Sequence, residues 1–241
     1  MTWVGNNLSL MASLFLAHVM LALPAVALSV AVAIPLGWLA HRSPTIRGPL
    51  LQVVGLLYAI PSLALFLIVP SLFGLEMRGS ANIIVVLAIY GVAILVRTVT
   101  DAFDSVPADV LQAADACGYS LWRRFWSVDL PLSLPVTMAG VRVVVVSTIS
   151  LVTVGSVIGV RSLGTLFTDG FQRGIVAEVV AGLVLTVLLA LAMDGLCVLV
   201  GHMLTPWTKS SRLPRRVGFI GRSRGALPAT PATTNEEGSV S

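Results

Sequence analysis

Side chains that could act as nucleophiles, acids, bases or metal ligands are few in this sequence, and they do not cluster. The three histidines, at positions 18, 41 and 202, lie near the ends of different apolar stretches, and Cys117 and Cys197 have no metal-ligand spacing. No GxxxxGK[ST] motif, the glycine-rich loop that holds the phosphates of ATP, occurs in the chain. The pattern therefore predicts no catalytic site, no metal site and no bound ATP in this chain.

The pattern that does predict a function is a polar-rich segment, QAADACGYSLWRRFWSVDLP at 112–131, between two long apolar stretches. A short helix is expected just before and within it, because Ser105 can cap it, Pro107 suits its first turn and Gly118 is a natural end. One helical face would then carry small or apolar side chains, at Val110, Ala113, Ala114 and Cys117. Small side chains let another surface approach the backbone closely, which favours a docking helix over an ordinary amphipathic connector lying on the membrane.

The rest of the composition indicates a membrane as the solvent. The 241 residues are 56% hydrophobic and 11% charged, whereas soluble domains are about 25% charged. A span needs about 20 mostly apolar residues, and five segments qualify: 19–40, 50–73, 81–100, 135–160 and 179–200. A sixth span would require a break near Gly155 and Gly159, or separate insertion of 8–16. We therefore predict an all-α membrane protein of about five helices.

The distribution of Lys and Arg predicts the orientation. With the amino terminus outside, only Arg78, Arg161 and Arg173 lie in outer loops. The basic residues of the inner loops and tail are Arg42, Arg47, Arg97, Arg123, Arg124, Lys209, Arg212, Arg215, Arg216, Arg222 and Arg224. The net charge of +4 thus reflects topology, and nucleic acid is not needed as a partner to explain it.

These observations divide the chain into three parts. Residues 1–17 form an extracytoplasmic amino terminus and the start of the first helix, and 18–205 form the membrane domain with a cytoplasmic loop at 101–132. After Pro206 the composition turns to Lys, Arg, Pro, Ser, Thr and Gly, which predicts a basic, disordered cytoplasmic tail at 206–241. Its basic start could lie on anionic headgroups.

The polar segment closely resembles the signature loop of permease subunits in binding-protein-dependent ABC importers. That signature reads Glu-Ala-Ala, three residues, Gly, nine residues, Ile, one residue, Leu-Pro. The chain matches the spacing throughout, with Gln112 in place of the acidic residue and Val128 in place of isoleucine. Gln112 can form hydrogen bonds but cannot form the salt bridge that a glutamate would.

Other runs resemble permeases for glycine betaine, choline, carnitine and proline. They are YAIPSLALF at 58–66, LPLSLPVTMAGVR at 130–142 and VGSVIGVRSLG at 154–164, together with Asp194. The similarity covers roughly residues 15–205. It implies the type I ABC importer permease fold, with the cytoplasmic loop supplying a coupling helix, and transport of a compatible solute.

The resemblance also implies partners. An ATP-binding subunit would hold ATP and Mg²⁺ and receive the coupling helix, an extracytoplasmic protein would deliver the solute, and a second permease, identical or related, would complete the pathway. No cofactor is expected in this chain, and ATP hydrolysis is expected in the partner. The residues expected at the ATPase contact are Val110, Leu111, Gln112, Ala113, Ala114, Gly118 and Tyr119.

Other candidate site residues lie within the spans. Tyr58, Pro61, Ser62 and Tyr90 could line the pathway, because a broken helix frees backbone carbonyls that only protein or water can satisfy; the alternative is a packing kink. Arg142 and Asp194 are intramembrane charges. They could form a pair or be solvated separately.

Two other classes of function remain as alternatives. A secondary transporter or channel would need more polar groups within the spans and often shows an inverted repeat, which is not apparent here. A membrane-embedded enzyme would need clustered catalytic residues at matched depth. Within the importer class, a different small polar solute such as an amino acid would use the same docking helix.

Overall fold

The computed structural model describes residues 2–207, and every regular element within them is helical. The predicted tail therefore lies outside the described residues from position 208 onward. A π-helical turn, Phe125–Asp129, and a 3-10 turn, Gly155–Ile158, join longer helices. In chain order the α-helices are α1 (Thr2–Asn6), α2 (Leu8–Arg42), α3 (Pro44–Ala59), α4 (Ser62–Phe73), α5 (Ser80–Asp104), α6 (Ala108–Ala116), α7 (Leu121–Arg124), α8 (Leu130–Val154), α9 (Gly164–Arg173) and α10 (Val176–Leu204).

Four of these helices, α2, α5, α8 and α10, are long and apolar enough to cross a membrane singly, and α3 with α4 makes a fifth if a bent pair counts as one span. Each of the four has at least 25 residues, about 37 Å at 1.5 Å per residue, which exceeds the roughly 30 Å hydrocarbon layer. The predicted all-α membrane fold is confirmed. Helix α2 begins at Leu8, within the segment 1–17 that was expected to contain the start of the first helix, so 8–16 does not insert separately.

The second predicted span, 50–73, corresponds to the bent pair of α3 and α4, and the break lies at Pro61, where a broken helix was expected. Helices α3 and α4 meet at 108°. Ile60 has φ −69° and ψ 131°, and Pro61 has φ −57° and ψ 133°, because the proline ring excludes the α region for the residue before it and removes a backbone donor. The Tyr90 hydroxyl on α5 donates to the freed carbonyl of Ile60. A side chain of a neighbouring span thus forms a hydrogen bond with a carbonyl that the break leaves free.

Helix α5 is the centre of the bundle, with 61% of its most apolar window buried against 6% for α10. It packs between α2 and α8 at positions that lack side chains. A Cβ on Gly37 of α2 would lie 2.5 Å from Cγ1 of Val99, and a Cβ on Gly140 of α8 would lie 2.7 Å from Cγ2 of Thr98. Such small-residue contacts replace the hydrophobic driving force that is missing between helices in lipid.

The alternative of a sixth span is not supported within residues 2–207. Helix α8 does stop near Gly155, where the 3-10 turn ends at Gly159 with φ +90°. The next helix, α9, has only 10 residues, about 15 Å, which is too short to cross the hydrocarbon. It packs instead against α10, where a Cβ on Gly182 would lie 2.9 Å from Cβ of Leu166.

We expect Gly91→Leu to lower the free energy of unfolding by about 3 kcal/mol through overpacking. A side chain at Gly91 would overlap Oγ of Ser29 on α2 and approach Val144 on α8 at 3.1 Å. The measurement is loss of helical circular dichroism on heating in detergent. Gly195→Leu is the matched control, because a Cβ there meets nothing within 4 Å and leucine favours helix over glycine. Equal melting temperatures for both variants would contradict the packing argument.

Candidate functional site

The first candidate site is the short helix α6, which lies in the polar segment as predicted but begins differently. Pro107, in extended conformation, precedes its first residue, and no side chain caps it. Ser105, the predicted cap, instead donates from its hydroxyl to the carbonyl of Ala102 at 2.7 Å, because α5 continues to Asp104. The predicted end at Gly118 is present: its φ is +76°, the left-handed conformation that glycine adopts without strain.

The expected contact residues divide by exposure. Val110, Gln112, Ala113 and Gly118 are exposed, Leu111 and Tyr119 are half-buried, and Ala114 is buried. Ala114 is buried because the chain folds back after Gly118 and α6 packs on the π-helical turn. Its contact with an ATP-binding subunit stays a prediction. The carbonyl of Ala114 also accepts from the backbone N–H of Tyr119 at 3.2 Å. The accessible side of α6 carries Gln112 and Ala113.

An ion-pair bridge that sequence reasoning missed ties α6 to the bundle. The Arg124 Nη1 group donates to both carboxylate oxygens of Asp115 on α6, at 2.8 Å each. The Nε of Arg124 lies 3.4 Å from Oδ1 of Asp129, whose side chain is 4% exposed. Asp129 in turn accepts a 3.4 Å hydrogen bond from Nε1 of Trp38 on α2. We call Asp115, Arg124, Asp129 and Trp38 the Arg124 bridge.

An aromatic cluster surrounds Phe125, the residue after Arg124. Phe125 is 5% exposed, and its ring centroid lies 4.9 Å from Trp38 of α2, 6.1 Å from Phe103 of α5 and 5.9 Å from Trp122 of α7. Aromatic pairs at these distances add to stability beyond the area they bury. The loop is thus fixed to two spans by apolar and ionic contacts together.

A second ion-pair group closes the same end of the bundle. Nδ1 of His41 on α2 lies 2.6 Å from Oδ1 of Asp104 on α5, and Nη2 of Arg47 on α3 lies 2.7 Å from the other carboxylate oxygen. Asp104 is the last residue of α5, and α6 begins four residues later. The ends of three helices therefore meet directly beside the docking helix.

The second candidate site is a cleft beside the broken helix pair. All four predicted pathway residues, Tyr58, Pro61, Ser62 and Tyr90, line a cleft of about 420 Å³. The rings of Tyr58 and Tyr90 meet edge to face with centroids 6.1 Å apart. Ser147 and Ser150 of α8 line the same cleft; sequence reasoning missed them because isolated serines in a helical span carry no recognisable signal.

The two intramembrane charges are paired. Arg142 of α8 donates from Nε and Nη2 to the two carboxylate oxygens of Asp194 on α10, at 2.7 Å each. This pair and Ser147 line a neighbouring cleft. Ser147 also lines a third cleft, together with Arg97. The bidentate geometry is the strong form of an arginine–carboxylate contact. The three clefts share Ser147. We call their polar side chains the polar face of the bundle: Tyr58, Ser62, Tyr90, Arg97, Arg142, Ser147, Ser150 and Asp194.

His18, which the sequence places near the end of an apolar stretch, lies inside the bundle. It is fully buried between α2 and α8, and its Nε2 lies 3.1 Å from the carbonyl of Ile149. The helix α2 continues for ten residues before it. The ring is a packing and hydrogen-bonding element between two spans.

A family model described as the binding-protein-dependent transport system inner membrane component matches residues 29–205. The chain belongs to this family. The match includes α6 with its ion-pair bridge and all three clefts. The family resemblance predicted from the segment at 112–131 is confirmed, and the permease is a multi-pass membrane protein.

Two curated relatives are similar to the permease over most of its length. The osmoprotectant import permease protein OsmW of Salmonella typhimurium is 34% identical over 203 residues, which cover 83% of this chain and 94% of that protein. The carnitine transport permease protein OpuCB of Listeria monocytogenes is 29% identical over 189 residues, covering 78% and 85%.

The fold of the permease is also found among solved structures. A chain of the MetNI methionine ABC transporter in an inward-facing conformation superposes with a TM-score of 0.74 at 18% identity, covering 83% of this chain and 98% of that one. The predicted type I importer permease fold is confirmed by this likeness.

We expect Arg124→Gln to destabilise the permease by about 3 kcal/mol, because it leaves the buried carboxylate of Asp129 without a charged partner. Asp115→Asn is the matched control. Asp115 is 55% exposed, so its loss should cost under about 1 kcal/mol. Thermal denaturation in detergent shows which of the two variants is the less stable. Adding Asp129→Asn to Arg124→Gln should recover part of the loss, and no recovery would contradict the assignment of an ionic bridge.

Proposed function

We propose that the permease is the membrane subunit of an ATP-driven importer for a compatible solute of the glycine betaine, choline, carnitine or proline class. The observation that carries the proposal is the exposed, small-faced helix α6 held rigidly to the spans in a chain of this family. The relatives are permeases for osmoprotectant import and for carnitine transport, which supports the substrate class. The extracytoplasmic binding protein delivers the solute.

The energy source is a separate ATP-binding subunit. The chain itself carries no GxxxxGK[ST] loop, so it has no backbone cradle for the phosphates of ATP. Helix α6 offers the exposed side chains of Val110, Gln112 and Ala113 to a cleft on that subunit. Because Ala113 ends at Cβ, the partner surface can approach the α6 backbone closely.

Motion of the partner reaches the spans through the Arg124 bridge and the aromatic cluster. A push on α6 acts on Asp115 and Arg124, then on Asp129 and Trp38, which belongs to the long helix α2. Rigid packing of these groups turns a displacement of α6 into a rotation of the spans. The binding and hydrolysis of ATP thereby shift the bundle between inward- and outward-facing states.

The polar face of the bundle is the translocation path. In this chain alone the clefts at Tyr58, Ser147 and the Arg142–Asp194 pair are open, and a second permease, identical or related, closes them. Tyrosine rings suit a quaternary ammonium head through cation–π contact, and Tyr58 is 57% exposed in the cleft.

The amino terminus is outside and α6 lies in the cytoplasm. The excess of Lys and Arg in the loops at the α6 end supports this orientation. The opposite end carries only Arg78, Arg161 and Arg173 in its loops. With this orientation the loop meets the ATP-binding subunit and the other end meets the binding protein.

Ala113→Trp should abolish co-purification of the ATP-binding subunit and reduce ATP-dependent uptake at least tenfold, because the large ring blocks close approach to α6. The exposure of Ala113 means that the permease itself should stay folded. Thr45→Trp is the control: Thr45 is exposed near the start of α3 on the same cytoplasmic side but outside the loop. Normal uptake by Ala113→Trp, or uptake by wild-type permease without any ATP-binding subunit, would overturn the coupling proposal.

The substrate class is tested by uptake into proteoliposomes that contain the full complex and ATP. Radiolabelled glycine betaine, choline, carnitine and proline are compared with methionine. At least one of the first four should accumulate with a dependence on both ATP and the binding protein. Accumulation of methionine alone would assign the permease to amino-acid import and leave the coupling mechanism standing.

A further inference from the structure

A basic cleft lies at the end of the bundle opposite to α6 and takes no part in the proposed pathway. It has a volume of about 510 Å³ and lies between α2, the start of α5 and the chain at 159–161. Arg78 and Arg161 line it on one side, and Met20 and Ile84 contribute to an apolar wall on the other. The cleft therefore combines positive charge with apolar surface.

The two arginines are without a carboxylate partner within residues 2–207. Neither guanidinium has an ion pair or a hydrogen bond to another side chain there. The third arginine at this end, Arg173, lies 3.6 Å from the carboxylate of Glu178 and outside the cleft. Two positive charges that converge on one cleft without a partner indicate an anionic ligand.

Two backbone features add to the anion preference. Helix α5 begins at Ser80 in the cleft, and no side chain caps it, so its first N–H groups and the positive end of its dipole face the ligand region. Gly159, with φ +90°, lets Arg78 lie across it, since a Cβ at Gly159 would be 3.3 Å from Nε of Arg78. Arg78 therefore lies against the chain two residues before Arg161, and both arginines line the cleft.

The depth of the cleft matches the outer headgroup layer, given the orientation under the proposed function. Counting about 20 residues back along α2 from Ala40, near its cytoplasmic end, gives about 30 Å and reaches Met20. The arginines therefore lie at the polar boundary, while Met20, which is 63% exposed, and Ile84 face the hydrocarbon edge.

We propose that this cleft binds an anionic phospholipid of the outer leaflet. Arg78 and Arg161 hold the headgroup phosphate with the N-terminal N–H groups of α5, and one acyl chain lies along Met20 and Ile84. The apolar wall favours a lipid over an acidic side chain of the binding protein, which would need only the charged rim. The bound lipid joins α2, α5 and the loop after α8.

The test titrates phosphatidylglycerol into full-length permease in detergent and measures lipid adducts by native mass spectrometry, with phosphatidylcholine as the zwitterionic comparison. The Arg78→Gln, Arg161→Gln double variant should lose about tenfold in phosphatidylglycerol affinity, because two charge-assisted contacts are removed, and change little for phosphatidylcholine. Arg173→Gln is the matched control and should bind like the wild type. Met20→Asn should also weaken phosphatidylglycerol binding, since the acyl-chain contact is lost.

Undiminished phosphatidylglycerol binding by the double variant would overturn the proposal, as would an equal loss in Arg173→Gln. Displacement of phosphatidylglycerol by millimolar inorganic phosphate, with Met20→Asn unchanged, would assign the site to a free anion instead. If the double variant in phosphatidylcholine nanodiscs lost tenfold in affinity for the binding protein but kept its lipid binding, the cleft would be assigned to an acidic side chain of the binding protein. The mass readout needs neither ATP nor solute, so failure of the proposed transport function leaves this test interpretable.

Discussion

Close approach of three helices at residues without side chains is the constraint on which the rest of the permease depends. Between helices that are surrounded by lipid, the hydrophobic effect supplies no driving force for association, so dispersion contacts and hydrogen bonds must hold the spans together. Gly37, Gly91 and Gly140 let α2 and α8 approach α5 closely enough for such contacts. The buried His18 and Tyr90 then reach carbonyls on neighbouring spans. The sites lie on this central three-helix unit or are tied to it.

The same unit explains why the broken helix pair is tolerated. A proline break exposes backbone carbonyls that cannot remain unsatisfied in hydrocarbon. The Tyr90 hydroxyl meets one of them because α5 is fixed beside the break. The cleft beside Tyr58 exists for the same reason, since the 108° bend between α3 and α4 leaves space that a straight helix would fill. In the proposed function that space belongs to the solute path.

In the proposed function, force is transmitted through the same small region at the α6 end that fixes the loop to the spans. The Arg124 bridge is ionic and directional, while the cluster around Phe125 is apolar and resists separation from α2 and α5. A buried ion pair contributes little net stability when compared with apolar packing. Its value here is geometric, because it fixes the angle between α6 and the spans.

How well the sequence predicted each feature depends on how far apart along the chain the residues that determine it lie. Two local signals agree with the structure. The apolar lengths predicted five membrane segments, which matches four long helices with the bent pair α3 and α4 counted as a fifth, and Gly118 marks the end of α6. The cap at Ser105 failed because α5 continues to Asp104, and the hydroxyl found a carbonyl of its own helix first. The burial of Ala114 was not predicted, because it results from the chain folding back onto α6, which no helical period encodes.

By itself, the sequence determined the membrane as solvent, the helical class, the family and the position of the docking helix, because each depends on composition or on spacing within about twenty residues. Only the tertiary structure decided that Arg124 joins Asp115 to Asp129, that Arg142 pairs with Asp194, and that Arg78 and Arg161 share a cleft. The physical reason is that such contacts depend on how separate elements pack, and side chains on different helices, or across a turn, have no common period along the chain.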